Sequence, residues 1–116
     1  MKKLSLLMSG IAVLTGIGTV QAAFNGPGNA PVVTVEQAKA MTDDTHVVMQ
    51  GYIVQHLGGE DYMFKDATGT IRVEIDDDDW KGLDVTDKDL VEIRGEVDTH
   101  LRKPTNIEAD SIRLVK

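Results

Sequence analysis

Apolar and polar residues alternate with a period of two along most of the chain from His46 onward. This period predicts β-strands, because successive side chains of a strand point to opposite faces of the sheet. Five such segments are present, and each has one apolar face. In chain order these faces comprise Val47, Met49, Gly51 and Ile53; Tyr62 and Phe64; Ile71, Val73 and Ile75; Val91, Ile93, Gly95 and Val97; and Ile107, Ala109, Ile112 and Leu114. The phase shift between Ala109 and Ile112 predicts a bulge in the fifth strand.

Two mid-strand glycines favour a small closed barrel over a flat sheet. Gly51 and Gly95 lie in the middle of the two longest strands, where glycine permits a bulge or a sharp bend. A five-stranded sheet with a single apolar face buries that face by closing on itself. We therefore predict a mainly β fold, a five-stranded OB-fold-like Greek-key barrel, with an SH3-like barrel as the alternative.

One short N-terminal α-helix precedes the strands. Thr34 and Gln37 have the spacing of a capping box, and Val35, Ala38 and Met41 follow at helical spacing. The pattern predicts a helix near residues 35–41.

The N-terminal residues are typical of a cleavable signal peptide rather than of the fold. Lys2 and Lys3 precede a mostly apolar run that ends near Ala22, where small residues mark a cleavage site. A membrane anchor is the alternative, although polar residues and glycines interrupt the run and leave it short of a solid bilayer span. The chain contains no cysteine, so a lipid-anchored lipoprotein is excluded. We predict a signal peptide at residues 1–22, a flexible lead-in at 23–33 and an OB-fold domain at 34–116.

Charge and cysteine content narrow the function classes. The net charge is −7 and becomes −9 once Lys2 and Lys3 are removed. Such a field repels nucleic-acid phosphates and attracts cations and basic peptides. The absence of cysteine excludes thiol oxidoreductases, cysteine hydrolases and thiolate metal sites.

Several sequence blocks, taken together, carry a family resemblance. The more specific ones read Phe-Lys-Asp-Ala-Thr-Gly-Thr-Ile at residues 64–71 and Val-Glu-Ile-Arg-Gly-Glu-Val-Asp at residues 91–98. With residues 24–27, 34–38, 51–54 and Trp80, they resemble the bacterial OB-fold (BOF) family of small periplasmic proteins. The resemblance implies a monomeric periplasmic domain associated with envelope stress tolerance and without known enzymatic activity. It implies a cationic or other small ligand rather than nucleic acid, and it provides no catalytic residues.

Four consecutive carboxylates, Asp76 to Asp79, are the most unusual local feature. Carboxylates suit hard cations such as Ca²⁺, but an EF-hand register starting at Asp77 places Lys81 and Lys88 at liganding positions. Adjacent carboxylates on an extended backbone also point in alternating directions and do not converge on one ion. The run is therefore either a solvated acidic loop or a weak patch for a cation or a basic peptide.

The aromatic residues have competing interpretations. Trp80 is either a platform for a cationic ligand beside carboxylates or a plug for the end of the barrel. Tyr62 and Phe64 occupy the strand on which nucleic-acid-binding OB-folds place stacking residues, but their shared apolar face favours core packing. The outer face then carries Lys65, Arg72, Glu74 and Asp76 without aromatics, which does not favour nucleic acid.

No catalytic or metal site is predicted. His46, His56 and His100 share no metal-ligand spacing, and Ser111 has no histidine partner in the pattern. We predict a protein that is not an enzyme and has no cofactor.

The predicted function is ligand binding in the periplasm. The ligand would be a cationic small molecule, a metal cation or a basic peptide, held by the acidic outer surface. A protein-interaction or cell-wall adaptor that uses a groove and residues 23–33 is the alternative. The candidate ligand-binding residues are Glu60, Asp61, Glu74, Asp76, Asp78 and Trp80.

Overall fold

The computed structural model describes residues 31–116. The predicted signal peptide and residues 23–30 of the predicted lead-in lie outside these residues. The elements, in chain order, are α1 (Val35–Lys39), β1 (His46–Gly58), β2 (Asp61–Asp66), β3 (Gly69–Glu74), α2 (Asp77–Trp80), β4 (Val91–Asp98) and β5 (Asn106–Leu114).

The five strands form a closed barrel in the order β1-β2-β3-β5-β4. Four of the strand pairs are antiparallel, and β3 with β5 is the parallel one. Parallel pairing of these two strands lets β5 close the sheet between β3 and β4. The predicted OB-fold-like architecture is confirmed.

The predicted apolar faces line the interior of the barrel. Met49, Phe64, Ile75, Ile93 and Ile107 are fully buried there. Burying a side chain of this size contributes about 1.5–3 kcal/mol, so this set dominates the stability of a cysteine-free domain. The short helix α1 adds two further buried residues, Val35 and Ala38, to the same core.

The two mid-strand glycines are required by close backbone approach. A Cβ on Gly51 would lie 2.4 Å from the carbonyl oxygen of Lys65, and a Cβ on Gly95 would lie 2.1 Å from that of Glu108. The β4–β5 register also shifts at Gly95, whose partner is Ala109, whereas Arg94 pairs with Ser111. Asp110 is therefore the extra residue of a bulge in β5, as the phase shift predicted.

Two helical details differ from the sequence expectation. Helix α1 ends at Lys39, two residues earlier than predicted. The acidic connection after β3 contains the four-residue helix α2, which the alternation pattern does not indicate. Asp77, Asp78 and Asp79 occupy its first turn, where carboxylates interact favourably with the helix dipole, and Lys81 ends it in a left-handed conformation.

The chain is already attached to the barrel before Thr34. The Val33 N–H donates to the Val48 carbonyl at 2.8 Å, and the Val48 N–H donates to the Pro31 carbonyl at 3.2 Å. Val33 is 7% exposed and belongs to the core. Within residues 31–116, no helix is long and apolar enough to cross a membrane.

Candidate functional site

Three of the predicted ligand-binding residues, Glu60, Glu74 and Asp76, lie close together at one end of the barrel. The Ile75 N–H donates to the Glu60 carbonyl at 2.8 Å, which fixes the β1–β2 turn beside the end of β3. This contact brings the carboxyl group of Glu60 to that of Asp76. The pKa of Glu60 is raised above its ordinary value. The largest cause is a hydrogen bond with Asp76, and partial desolvation and the charges of Asp76, Asp77 and Glu74 add to it.

The acidic surface continues onto β5 through the parallel strand pair. Glu74 lies directly opposite Glu108 in the β3–β5 register. Partial desolvation raises the pKa of Glu108 although its side chain is exposed, and the charge and hydrogen bond of Asp98 and the charges of Glu74 and Glu96 raise it further. Like charges in direct cross-strand register are unfavourable, so this arrangement is not explained by stability.

These carboxylates line an open groove, which we call the acidic groove. It has a volume of about 230 Å³ and is lined by Glu74, Asp76, Glu108, Ala109 and Asp110. Sequence reasoning found Glu74 and Asp76 but missed Glu108 and Asp110. Their position depends on the pairing of β3 with β5, which are more than 30 residues apart, and no local pattern reports that pairing.

Asp61 lies in a different electrostatic environment. Its Oδ1 accepts a hydrogen bond of 2.8 Å from Arg72 Nη1, and the two side chains form an ion pair. The other guanidinium nitrogen, Nη2, donates to Asn106 Oδ1 at 3.0 Å. Asn106 Oδ1 is also 2.6 Å from His100 Nε2. Asp61 therefore has a cationic partner in Arg72.

The structure places Trp80 against the end of the barrel. Its ring meets the ring of Tyr62 edge-on at 5.3 Å, and Tyr62 stacks on His56 at 4.5 Å. Trp80 is partly buried against the core, and its Nε1 is buried without a hydrogen-bond partner among the described residues. This packing is that of the plug interpretation. Asp78, two residues earlier on α2, is exposed.

The same three rings line a second groove, of about 440 Å³, together with Asp84 and Asp87. Phe64 is fully buried and Tyr62 packs on the core, as the shared apolar face predicted. His46 and His100 lie 3.7 Å from Glu96 and 3.5 Å from Asp98, respectively. Among residues 31–116, no group of three or more histidine and carboxylate side chains is arranged to hold a metal ion.

A buried carboxylate on the outer face of β4 was also missed. Glu92 is 4% exposed and accepts from Gln50 Nε2 at 3.0 Å and from Arg113 Nε at 3.1 Å. Burial by itself would raise the pKa of Glu92, but the bonds from Gln50 and Arg113 and the charges of Arg113 and Arg94 outweigh burial and lower it. The site is internally compensated, so it contributes to structure rather than to a vacant binding surface.

Comparison with known proteins places this acidic barrel in a family. The family model for bacterial OB fold (BOF) proteins matches residues 15–114. The chain belongs to this family. Protein YgiW of Escherichia coli K12 is 41% identical over 112 residues, which cover 84% of this chain and 86% of YgiW. The calcium-regulated OB-fold protein CarO of Pseudomonas aeruginosa is 41% identical over 99 residues, with 84% of each chain covered.

Solved structures agree with the fold. The structure of the hypothetical protein YgiW from E. coli superposes with a TM-score of 0.73 at 47% identity, covering 82% of this chain and all of that one. The telomere capping protein Ten1 from Saccharomyces pombe superposes with a TM-score of 0.58 at 12% identity. At that identity, the likeness to Ten1 concerns the fold alone. The names of YgiW and CarO include no reaction.

Proposed function

We propose that this protein is a non-enzymatic, monomeric periplasmic protein that contributes to envelope stress tolerance by binding a cationic ligand at the acidic groove. The observation that carries the proposal is the opposition of Glu74 and Glu108 in a region where the pKa of Glu108 is raised. Natural sequences avoid such unfavourable pairs unless another function retains them. A bound cation would relieve the repulsion, so it would bind the folded state in preference to the unfolded chain.

The arrangement favours an extended organic cation over a chelated metal ion. The carboxylates are spread along the groove and its rim, and no set of three or more metal-ligating side chains converges among residues 31–116. Ca²⁺ prefers six to eight oxygen ligands around one point. A polyamine or a basic peptide instead carries several separated charges, which match a line of carboxylates.

The test is an amide NMR titration of the purified protein with spermine, with a hexalysine peptide and with CaCl₂. We expect saturable shifts for Glu60, Glu74, Asp76 and Glu108 with the two organic polycations. The double variant Glu74→Gln/Glu108→Gln should weaken binding. The charge-matched control Glu36→Gln/Asp87→Asn, which changes exposed carboxylates outside the acidic groove, should leave it unchanged.

Two outcomes would contradict binding at the acidic groove, and a third would change the class of ligand. Shifts that grow linearly without saturating would mean that the groove attracts only a diffuse ion atmosphere. Equal weakening by the double variant and its control would mean that net charge, and not the groove, determines binding. A saturable response to Ca²⁺ with no response to spermine would replace the organic cation with a metal ion, a result of interest because the relative CarO is named as calcium-regulated.

The adaptor alternative has an observation of its own. Leu101, in the β4–β5 loop, is fully exposed, and Val32, in the predicted lead-in, is 60% exposed. Single exposed apolar side chains are common on protein surfaces, so these two residues support the adaptor only if their substitution or removal abolishes the capture of a partner. A pull-down from an envelope extract should compare the intact protein with Leu101→Ser and with a chain that begins at Pro31. Truncation further into the chain would remove Val33 from the core and confound the result.

A further inference from the structure

A larger groove lies on the side of the barrel, over the outer faces of β2 and β3. It has a volume of about 570 Å³ and extends from α1 to the β4–β5 loop. Leu57, Met63 and Pro104 contribute apolar surface to it. A cleft of several hundred Å³ with an apolar lining and a few polar groups is the usual form of a small-molecule site. We call it the lysine groove, after the residues described next.

The charges of the lysine groove are opposite to those of the whole molecule. Lys39, Arg72 and Lys103 line it, and Asp61 is the one carboxylate among its lining residues. Asp61 is paired with Arg72, so the two lysines are left over. Neither lysine forms an ion pair within residues 31–116, although this protein carries 19 acidic residues against 12 basic ones.

The position of Arg72 is fixed by its partners. The guanidinium group donates to Asp61 Oδ1 from one nitrogen and to the buried Asn106 Oδ1 from another. These bonds hold the guanidinium in place at the groove without requiring a ligand. Lys39, in the last turn of α1, and Lys103, in the β4–β5 loop, approach the groove from separate elements and have exposed side chains.

We propose that the lysine groove binds a single-chain anionic amphiphile, with its acidic head between Lys39 and Lys103 and its chain on Leu57, Met63 and Pro104. Charge complementarity selects an anion, and the apolar lining selects an attached hydrocarbon chain. A nucleic-acid strand is disfavoured because none of the described residues that line the groove is aromatic, so no ring among them would stack on a base. The lysine groove shares no lining residue with the acidic groove and has the opposite charge. A failure of one proposal would therefore not contradict the other.

The experiment measures binding of dodecanoate to the purified protein by calorimetry and by amide NMR, below the micelle concentration. Hexanoate carries the same head group with a shorter chain, and dodecyltrimethylammonium carries the same chain with a cationic head. We expect dodecanoate to bind most tightly and to shift the amides of Met63, Arg72 and Thr105. Dodecyl phosphate should bind similarly, since the site recognises an anionic head rather than one particular acid.

Matched variants separate head-group recognition from net charge. Lys39→Gln/Lys103→Gln should weaken dodecanoate binding roughly three- to thirtyfold, the range for two exposed charge contacts. Lys88→Gln/Lys116→Gln makes the same change in net charge away from the groove and should have little effect. Met63→Gln should weaken dodecanoate binding while leaving hexanoate binding almost unchanged.

Three results would overturn the proposal. The first is equal binding of the anionic and cationic dodecyl compounds, which would show that the chain alone is recognised. The second is equal weakening by the two lysine pairs. The third is a set of amide shifts centred on Tyr62 and Trp80, which would place the amphiphile in the second groove, the one lined by the rings of His56, Tyr62 and Trp80. A thermal melt of each variant confirms that a loss of binding does not reflect a loss of folding.

Discussion

Asp66 connects the β2–β3 hairpin to the start of α1, and its removal should destabilise the whole domain. Its Oδ2 accepts from the Val35 N–H at 2.9 Å, and its Oδ1 accepts from the N–H and the hydroxyl of Thr68 and from the Gly69 N–H. Thr68 Oγ1 in turn accepts from the Glu36 N–H at 3.0 Å. The Asp66 carboxylate therefore accepts from the backbone N–H groups of the hairpin turn and from the free Val35 N–H at the start of α1. Through its bond to Thr68, it also positions the acceptor of a second free helix N–H, that of Glu36.

The magnitude follows from the burial of these bonds. The bonds from Val35 and Gly69 are partly buried, whereas both bonds from Thr68 are exposed. A hydrogen bond to a charged acceptor contributes about 1.5–3 kcal/mol when buried and less when water competes. We expect Asp66→Ala to lower the free energy of unfolding by roughly 2–4 kcal/mol, a large part of the stability of a domain this small.

The pH dependence provides an independent check on this reasoning. Burial would raise the pKa of Asp66, but the bonds from Thr68, Val35 and Gly69 outweigh it and hold the pKa below its ordinary value of 3.8. The ionised form is thus favoured by folding, and its stabilisation is present above the unfolded pKa. It is lost as the pH falls through the lower folded pKa. Asp66→Asn should therefore be destabilising at pH 7 and progressively less so below pH ~4.

The assay is urea denaturation followed by the fluorescence of Trp80, the single tryptophan, which packs against Tyr62. An unchanged m-value would show that the variant unfolds from a similarly compact state. Asp87→Ala, at an exposed carboxylate that forms no hydrogen bond within the described chain, is the control and should change stability by less than about 0.5 kcal/mol. A loss below about 1 kcal/mol for Asp66→Ala, or one no larger than the control, would refute the argument from the bond geometry.

Three further predictions test other parts of the structure. Gly95→Ala should destabilise the domain by about 3 kcal/mol or more in the same urea assay, because the added Cβ would clash with the β5 backbone. Gly59→Ala is the control and should cost only about 1 kcal/mol, because the position has open space and only its left-handed backbone disfavours alanine. Glu92→Gln should lower the free energy of unfolding by about 1–3 kcal/mol at pH 7 and by less in acid, since folding lowers the pKa of Glu92. An equal loss at pH 7 and pH 3 would contradict a stabilising role for its charge beside Arg113. Glu108→Gln should raise stability at pH 7 only slightly, by roughly a few tenths of a kcal/mol, because folding raises the pKa of Glu108 but water screens its exposed charge. The gain should vanish as the pH falls below the unfolded pKa, where the carboxyl is protonated in both states, and thermal melts across pH would show whether it does.

The strands and their buried faces could be predicted from the sequence because both follow from the local alternation of apolar and polar residues. Strict alternation identified the five strands, and the Thr34–Gln37 pair identified the start of α1; both bonds of that capping box are present. The phase shift in the last strand gave the bulge at Asp110. Helix α2 was missed because four residues are too few to establish a helical period.

The candidate site was only partly predictable. Glu60, Glu74 and Asp76 lie close together in the structure. The sequence indicated an acidic outer surface from its excess of carboxylates. Asp61 was predicted as part of the same surface, but the structure pairs it with Arg72, which stands across the β2–β3 hairpin. Nothing local distinguishes the two kinds of carboxylate.

The sequence by itself determined which residues point inward, where the strands bend and that the molecule is acidic, because each of these follows from side-chain type and a period of two. The tertiary structure decided how the outward charges are grouped. Parallel pairing of β3 with β5 sets Glu74 against Glu108, and barrel closure brings Lys39 and Lys103 to one groove from distant parts of the chain. Electrostatic energy depends on distances between side chains, and those distances are fixed only when the barrel closes.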